Sequence, residues 1–124
     1  MTASRPQLLV LQGQFLVERA DLPQAIADNS WLALVRAPEG PTVIRRARPG
    51  ESDGTWAALY SGADPHGLDV PGVLVALLTP LAAADVPVFV ASTYDADVVL
   101  VPYARLDDAV TALNGHCDVR REEK

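Results

Sequence analysis

The sequence has few of the residues that usually mark a chemical site. It contains one cysteine, Cys117, and two histidines among 124 residues. A single cysteine cannot form an internal disulfide, and it cannot supply the set of thiolates that many structural zinc sites use. We therefore expect no structural metal, and a reducing, cytoplasmic compartment is the default for such a chain.

Positive charge is also scarce. Ten Lys and Arg residues stand against sixteen Asp and Glu residues, which gives a formal net charge of −6. A chain with this balance has no broad basic surface for nucleic-acid phosphates or anionic lipids, so we expect neither nucleic acid nor membrane as a partner. The one basic cluster, Arg45, Arg46 and Arg48, is interpreted as a solvated face at a strand end.

No apolar run is long enough to cross a bilayer. The longest, residues 73–84, is interrupted by Thr79 and Pro80, whereas a spanning helix needs about 20 consecutive apolar residues. A composition of 49% hydrophobic and 21% charged residues is typical of a folded globular chain. The length suits one domain or two small interlocked lobes.

Hydrophobic periodicity and turn residues predict a mixed order of strands and helices. The predicted strands are residues 8–11, 15–17, 31–35, 42–44, 56–60, 88–93, 97–101 and 116–120. The predicted helices are residues 22–28, 72–85 and 106–113, the last closed by Asn114-Gly115. Loops are expected at residues 38–41, 48–54 and 61–67.

From residue 55 onward the predicted order is βαββαβ, the ferredoxin-like arrangement, in which two helices cover one face of an antiparallel sheet. Residues 98–101 form an unbroken apolar run, which is typical of a strand buried on both faces. Because the helices cover only one face, we expect the first 54 residues or a second copy of the chain to cover the other.

Two neighbouring segments carry a resemblance. They are residues 72–82, GVLVALLTPLA, and residues 86–101, VPVFVASTYDADVVLV, in which the Ser-Thr-Tyr-Asp-x-Asp string and Pro80 are the most specific features. The chain resembles small bacterial ACT-domain proteins related to the CASTOR-type cytosolic arginine sensors, with weaker similarity at residues 11–17. The resemblance implies an α+β fold of two fused ACT-like, ferredoxin-like lobes: an incomplete lobe of residues 1–54, a complete lobe of residues 55–121 and a tail of residues 122–124.

The resemblance also implies a function. ACT-type proteins bind amino acids or similar zwitterions between neighbouring copies and regulate other proteins, so we expect a non-catalytic sensor, a homodimer and an unidentified effector protein. Transferred by position, the implied ligand-binding residues are Gly72, Val73 and Asp97, with Ser92 and Thr93 nearby. The chemistry is suitable, because a helix start at Gly72 presents free N–H groups to a carboxylate, while Asp95 and Asp97 suit an ammonium group.

Other interpretations of the same residues stay open. The Asp-x-Asp string is also typical of a turn, and the chain is then an interaction module that retains the fold but binds no metabolite. Catalysis finds little support: His116 and Cys117 are neighbours in a predicted strand and should point to opposite faces. No nucleophile-elbow sequence surrounds Ser92, and no phosphate-binding loop occurs. We therefore expect no enzyme and no cofactor.

Overall fold

A computed structural model describes residues 6–62 and 72–122, and the predicted loop at 61–67 lies outside this part of the chain from residue 63 on. The described residues form eight strands: β1 Gln7–Val10, β2 Phe15–Arg19, β3 Trp31–Ala37, β4 Gly40–Arg46, β5 Trp56–Tyr60, β6 Phe89–Ser92, β7 Asp97–Pro102 and β8 Asp118–Arg121. The helices are α1 Leu22–Ala27, α2 Val73–Ala83 and α3 Leu106–Asn114, with a 3₁₀ turn at Tyr103–Arg105 before α3.

The predicted α+β, ferredoxin-like fold is confirmed. β5, α2, β6, β7, α3 and β8 follow one another in the βαββαβ order, and β7 pairs antiparallel with both β5 and β6. One feature of the sheet was not predicted: β1 lies between β5 and β8, antiparallel to the first and parallel to the second. The sheet therefore crosses the proposed boundary between residues 54 and 55, and the division into lobes stays a prediction.

The larger core lies between this sheet and the two long helices. Leu77 and Leu81 of α2 and Leu113 of α3 are buried there, against strand residues such as Leu59 and Val101. These side chains follow helical spacing in the helices and alternate spacing in the strands, so periodicity places them on one face of each element. Burial of this shared apolar face holds α2 and α3 on the sheet.

The opposite face of the sheet is covered by the N-terminal part of the chain. Val98 and Leu100 of β7 point away from the helices and pack with Phe15 of β2 and Ile44 of β4. The prediction that β7 is buried on both faces is confirmed, and the first 54 residues provide the cover. A second copy is not needed for this purpose, so this face no longer supports a dimer.

The predicted end of α3 is confirmed, whereas the predicted start of β8 is not. Gly115 is the residue that ends α3, and its backbone is right-handed, with φ −74°. β8 begins at Asp118 rather than His116, because residues 115–117 form the turn that leaves α3. Pro80 lies inside α2 as predicted. Within residues 6–62 and 72–122, no helix has both the length and the apolar character needed to span a membrane.

Candidate functional site

A glycine precedes α2. Gly72 adopts the left-handed region, at φ 81°, and provides no side-chain cap for the helix. A Cβ built on Gly72 would meet none of the described atoms within 4 Å, and Gly72 itself has no side chain to hinder a ligand that approaches the backbone. As at any helix start, the first N–H groups have no partner within the helix, and the N–H of Ala76 is the first to bond back, to Gly72 at 3.1 Å.

Asp97 is held between two strand ends. Its side chain is buried, with the residue only 4% exposed, and its Oδ1 accepts a hydrogen bond of 2.7 Å from the Ser92 hydroxyl at the end of β6. On the other side, the backbone N–H of Asp97 donates to the Ser61 Oγ at 2.8 Å. The Ser61 N–H in turn donates to the Asp97 carbonyl at 3.0 Å. Ser61, just after β5, was missed by the sequence analysis because this contact joins residues far apart in the chain.

Thr93 and Asp95 belong to the turn between β6 and β7. The Thr93 N–H donates to the Ala96 carbonyl at 2.7 Å, and the Thr93 Oγ1 accepts from the Ala96 N–H at 3.1 Å. Asp95 is exposed at the tip. The hydroxyl of Thr93 therefore stabilises the turn itself, and ligand binding by either residue stays a prediction.

A cavity of about 610 Å³ lies beside the first turns of α2, and we call it the α2 cavity. The described residues that line it are Pro6, Gln7, Ser61, Val73, Ala76, Leu77, Thr79, Pro80, His116 and Cys117. Of the predicted site residues, Val73 lines this cavity directly, and Asp97 is connected to it through Ser61. The other predicted site residues are not among its described lining residues: Gly72, Ser92, Thr93, Asp95 and Asp97 itself.

His116 and Cys117 both line the α2 cavity. The argument that a strand would direct them to opposite faces is wrong, because both residues precede β8 and lie in the turn after α3. Cys117 is buried and His116 is exposed. Across residues 6–62 and 72–122, no three His, Cys, Asp or Glu side chains are grouped so that they could hold a metal ion.

The basic cluster is solvated only in part: Arg46 and Arg48 are exposed, as the sequence interpretation expected, whereas for Arg45 that interpretation is wrong. Arg45 is buried, with 9% exposure, and its guanidinium bonds two carboxylates: Nε to Glu18 at 2.8 Å and Nη1 to Glu51 at 2.8 Å. The ion pair between Arg45 and Glu18 was not predicted from the sequence. Arg45 lies opposite Leu16 in the β2–β4 register, which places Glu18 at the diagonal position on the same face.

This ion-pair cluster shifts the acidity of its members. Hydrogen bonds from Arg45, then from the Arg48 backbone N–H, lower the pKa of Glu51 to about 2. The same contacts with Glu51 and Glu18 raise the pKa of Arg45. Arg45 also lines a smaller cavity of about 220 Å³ beneath α1. Its donors are already satisfied by Glu18, Glu51 and the Arg46 carbonyl, so this arrangement joins the 48–54 loop to β4 rather than forming an anion site.

A comparison with known families identifies the fold's family. A sequence model of the ACT domain matches residues 51–115, which is more than half of the chain and runs from just before β5 to the end of α3. The chain belongs to the ACT domain family. ACT domains are regulatory, non-catalytic modules, and membership indicates a regulatory, ligand-binding role for this ACT protein.

Two solved structures share the architecture of the ACT protein. A protein of unknown function from Vibrio cholerae, described as a possible transport protein, superposes with a TM-score of 0.77 at 20% identity, covering 93% of this chain and 90% of that one. A protein from Agrobacterium tumefaciens superposes with a TM-score of 0.79 at 20% identity, covering 98% of this chain and 97% of that one. At this identity the similarity shows the fold alone. Both matches extend over the N-terminal strands, so the shared fold includes the strands that pack on the outer face of β7.

Proposed function

We propose that this ACT protein is a non-catalytic sensor that binds an amino acid in the α2 cavity. The observation that carries the proposal is the position of the cavity along the first two turns of α2, where Val73 lines it directly after Gly72, which has no side chain. Unpaired N–H groups at a helix start favour an anionic group. A ligand carboxylate bound there would place the rest of the molecule along α2.

The ammonium group of the ligand is assigned to the strand ends. Asp97 and the exposed Asp95 provide carboxylates on the β6–β7 side, while Ser92 and Thr93 hold that turn in shape through their hydrogen bonds. Ser61 lines the cavity and bonds the Asp97 backbone, so it connects the two halves of the proposed site. Charge-assisted hydrogen bonds at both ends of the ligand contribute about 1.5–3 kcal/mol each.

The proposal includes kinship with the CASTOR-type arginine sensors. It is supported by the Ser-Thr-Tyr-Asp-x-Asp string at residues 92–97 and by Pro80 inside α2. In this proposal the protein acts in the cytoplasm and passes its ligand state to a separate effector protein. It performs no reaction of its own.

We propose a homodimer on the basis of α2. None of its eleven residues is charged, and Val75 on its outer side is 63% exposed. A helix that is apolar on all sides is usually covered by other protein, and a second copy would provide that cover. Size-exclusion chromatography with light scattering should give twice the chain mass at micromolar concentration. A monomer mass under those conditions would contradict the dimer.

Thermal unfolding in the presence of each common amino acid tests the binding proposal. A ligand at one hundred times its dissociation constant should stabilise the fold by about 2.7 kcal/mol. Gly72→Asn should remove this response while leaving the unliganded protein folded, since asparagine tolerates positive φ. Its new side chain would occupy the opening beside Val73.

Gly50→Asn is the matched control. Gly50 also has positive φ, at 89°, and open space around its Cβ, but it lies in the loop after β4. The control should keep the full ligand response. A flat response of the natural protein to every amino acid would contradict the proposal and favour the interaction module, in which the hydrogen bonds of Ser92 and Thr93 are purely structural.

A further inference from the structure

We infer that the α2 cavity selects a ligand whose body is apolar, so that the amino acid it binds carries an aliphatic or aromatic side chain rather than a charged one. This inference rests on the proposed function and names the ligand class of the same site. The inferred ligand differs from arginine, the ligand of the sensors that the chain resembles.

The described lining of the α2 cavity is mostly apolar. Val73, Leu77 and Pro80 come from successive turns of α2, and Pro6 and Cys117 come from the two segments beside it. Residues three, four and seven apart lie on the same side of a helix, so these α2 side chains form one continuous wall. Apolar walls favour a ligand in proportion to the apolar surface it removes from water.

Two of the polar side chains in the lining are already bonded within the protein. The Thr79 hydroxyl donates to the Val75 carbonyl at 2.8 Å. The Ser61 Oγ accepts from the Asp97 N–H at 2.8 Å. The cavity therefore offers a ligand side chain fewer polar partners than its composition suggests, and Gln7 and His116 are the other polar residues of the described lining.

A cationic side chain would have no counter-ion in the described lining, which contains no Asp or Glu. The two carboxylates of the proposed site, Asp97 and Asp95, are assigned to the ammonium group of the ligand, and the Asp97 Oδ1 already accepts a hydrogen bond from Ser92. A guanidinium placed among apolar groups without a carboxylate loses its hydration and gains no ion pair. Arginine and lysine are thus disfavoured.

The size of the cavity is suitable for a small molecule. Small-molecule sites generally span about 300–1,000 Å³, and the α2 cavity measures about 610 Å³, so it can hold any amino acid and its apolar lining makes the selection. Leucine, isoleucine, methionine and phenylalanine would bury more apolar surface than glycine, alanine or serine and are the expected ligands.

Calorimetric titration of the full chain tests the inference with four probes: leucine, phenylalanine, arginine and 4-methylpentanoate, which is the leucine skeleton without its ammonium group. We expect leucine or phenylalanine to bind at least tenfold more tightly than arginine. Ala76→Asp places a carboxylate in the lining from an exposed helix position. It should weaken the apolar ligands at least tenfold and reduce or reverse their advantage over arginine.

Ala83→Asp is the matched control, since Ala83 is also exposed on α2 but is outside the described lining of the cavity. It should leave the affinity order unchanged. Tighter binding of arginine than of both apolar amino acids overturns the inference and leaves the proposed function intact. Binding of 4-methylpentanoate without any amino acid supports the apolar site and overturns the proposed amino-acid function. Absence of binding by all four probes overturns both.

Discussion

Arg45 shows how one buried charge organises the N-terminal half. It lies beneath α1 and bonds Glu18 of β2 and Glu51 of the following loop, each at 2.8 Å. Both glutamates are partly exposed, so solvent screens the pairs and each is worth less than a fully buried pair. The main consequence of the cluster is a dependence of stability on pH.

Glu51 should make the protein less stable in acid. Its pKa is about 2 in the folded protein against an ordinary 4.5, so the folded state holds the proton less readily than the unfolded state. Ionised Glu51 therefore increases the free energy of unfolding at pH values above its ordinary pKa, and this contribution is lost as the pH falls from 4.5 to 2. Urea unfolding should show Glu51→Gln to be less stable than the natural protein at pH 6, with the difference shrinking towards zero near pH 2.

Glu39→Gln provides the control for this measurement. Glu39 is exposed in the turn between β3 and β4, and no hydrogen bond or ion pair connects it to the other described residues. Its substitution should leave the unfolding midpoint unchanged at both pH values. An equal loss of stability for Glu51→Gln at pH 6 and at pH 2 would show that the ionised carboxylate is not what Arg45 stabilises.

Among the elements, α2 combines a buried face with an unusually apolar outer face. Leu81 is fully buried in the core, whereas Val75 is largely exposed. Pro80 has no backbone N–H and so removes one hydrogen bond from the helix. The helix nevertheless continues past it, and the Pro80 carbonyl accepts a hydrogen bond from the Ala84 N–H at 3.2 Å. The helix therefore continues through Pro80 because its buried face is held by the sheet.

Two alanine substitutions separate the faces of α2. Leu81→Ala should lower the free energy of unfolding by about 2–5 kcal/mol, because it removes a buried side chain and leaves a cavity. Val75→Ala should change the same quantity by no more than about 0.5 kcal/mol in the monomer, as is usual for exposed positions, whereas the proposed dimer, which covers Val75, predicts a larger loss. Chemical denaturation measures both values. If Val75→Ala costs as much as Leu81→Ala, then Val75 is covered in solution, which would support the proposed dimer.

Across the whole molecule, the N-terminal strands and the ACT segment form one sheet. β1 separates β5 from β8, and Phe15 and Ile44 cover the outer face of β7. We predict that a fragment of residues 55–124 will not unfold cooperatively, since it lacks β1 and exposes Ala58, Val98 and Leu100. Circular dichroism during urea titration checks this. A sharp transition for the fragment would instead support an independently folding lobe of residues 55–121.

Much of the architecture was predictable because it depends on local patterns. The strand at Trp56–Tyr60 and the helix at Leu106–Asn114 have the ends that periodicity predicted, to within a residue. The position of β1 was not predictable, since nothing in residues 7–10 indicates which strands lie on either side. The resemblance pointed to the start of α2, but Ser61, His116 and Cys117 join the cavity only through contacts between distant segments.

The amino-acid sequence by itself determined the kinds and order of the elements, the double burial of β7 and membership of a βαββαβ fold, because hydrophobic spacing and turn residues act over a few positions. Only the tertiary structure decided that the chain covers its own sheet, that Arg45 is buried between two carboxylates and that an apolar cavity lies at the start of α2. Each of these features depends on contacts between residues that are far apart in the sequence, and local sequence patterns do not indicate which distant residues will be in contact.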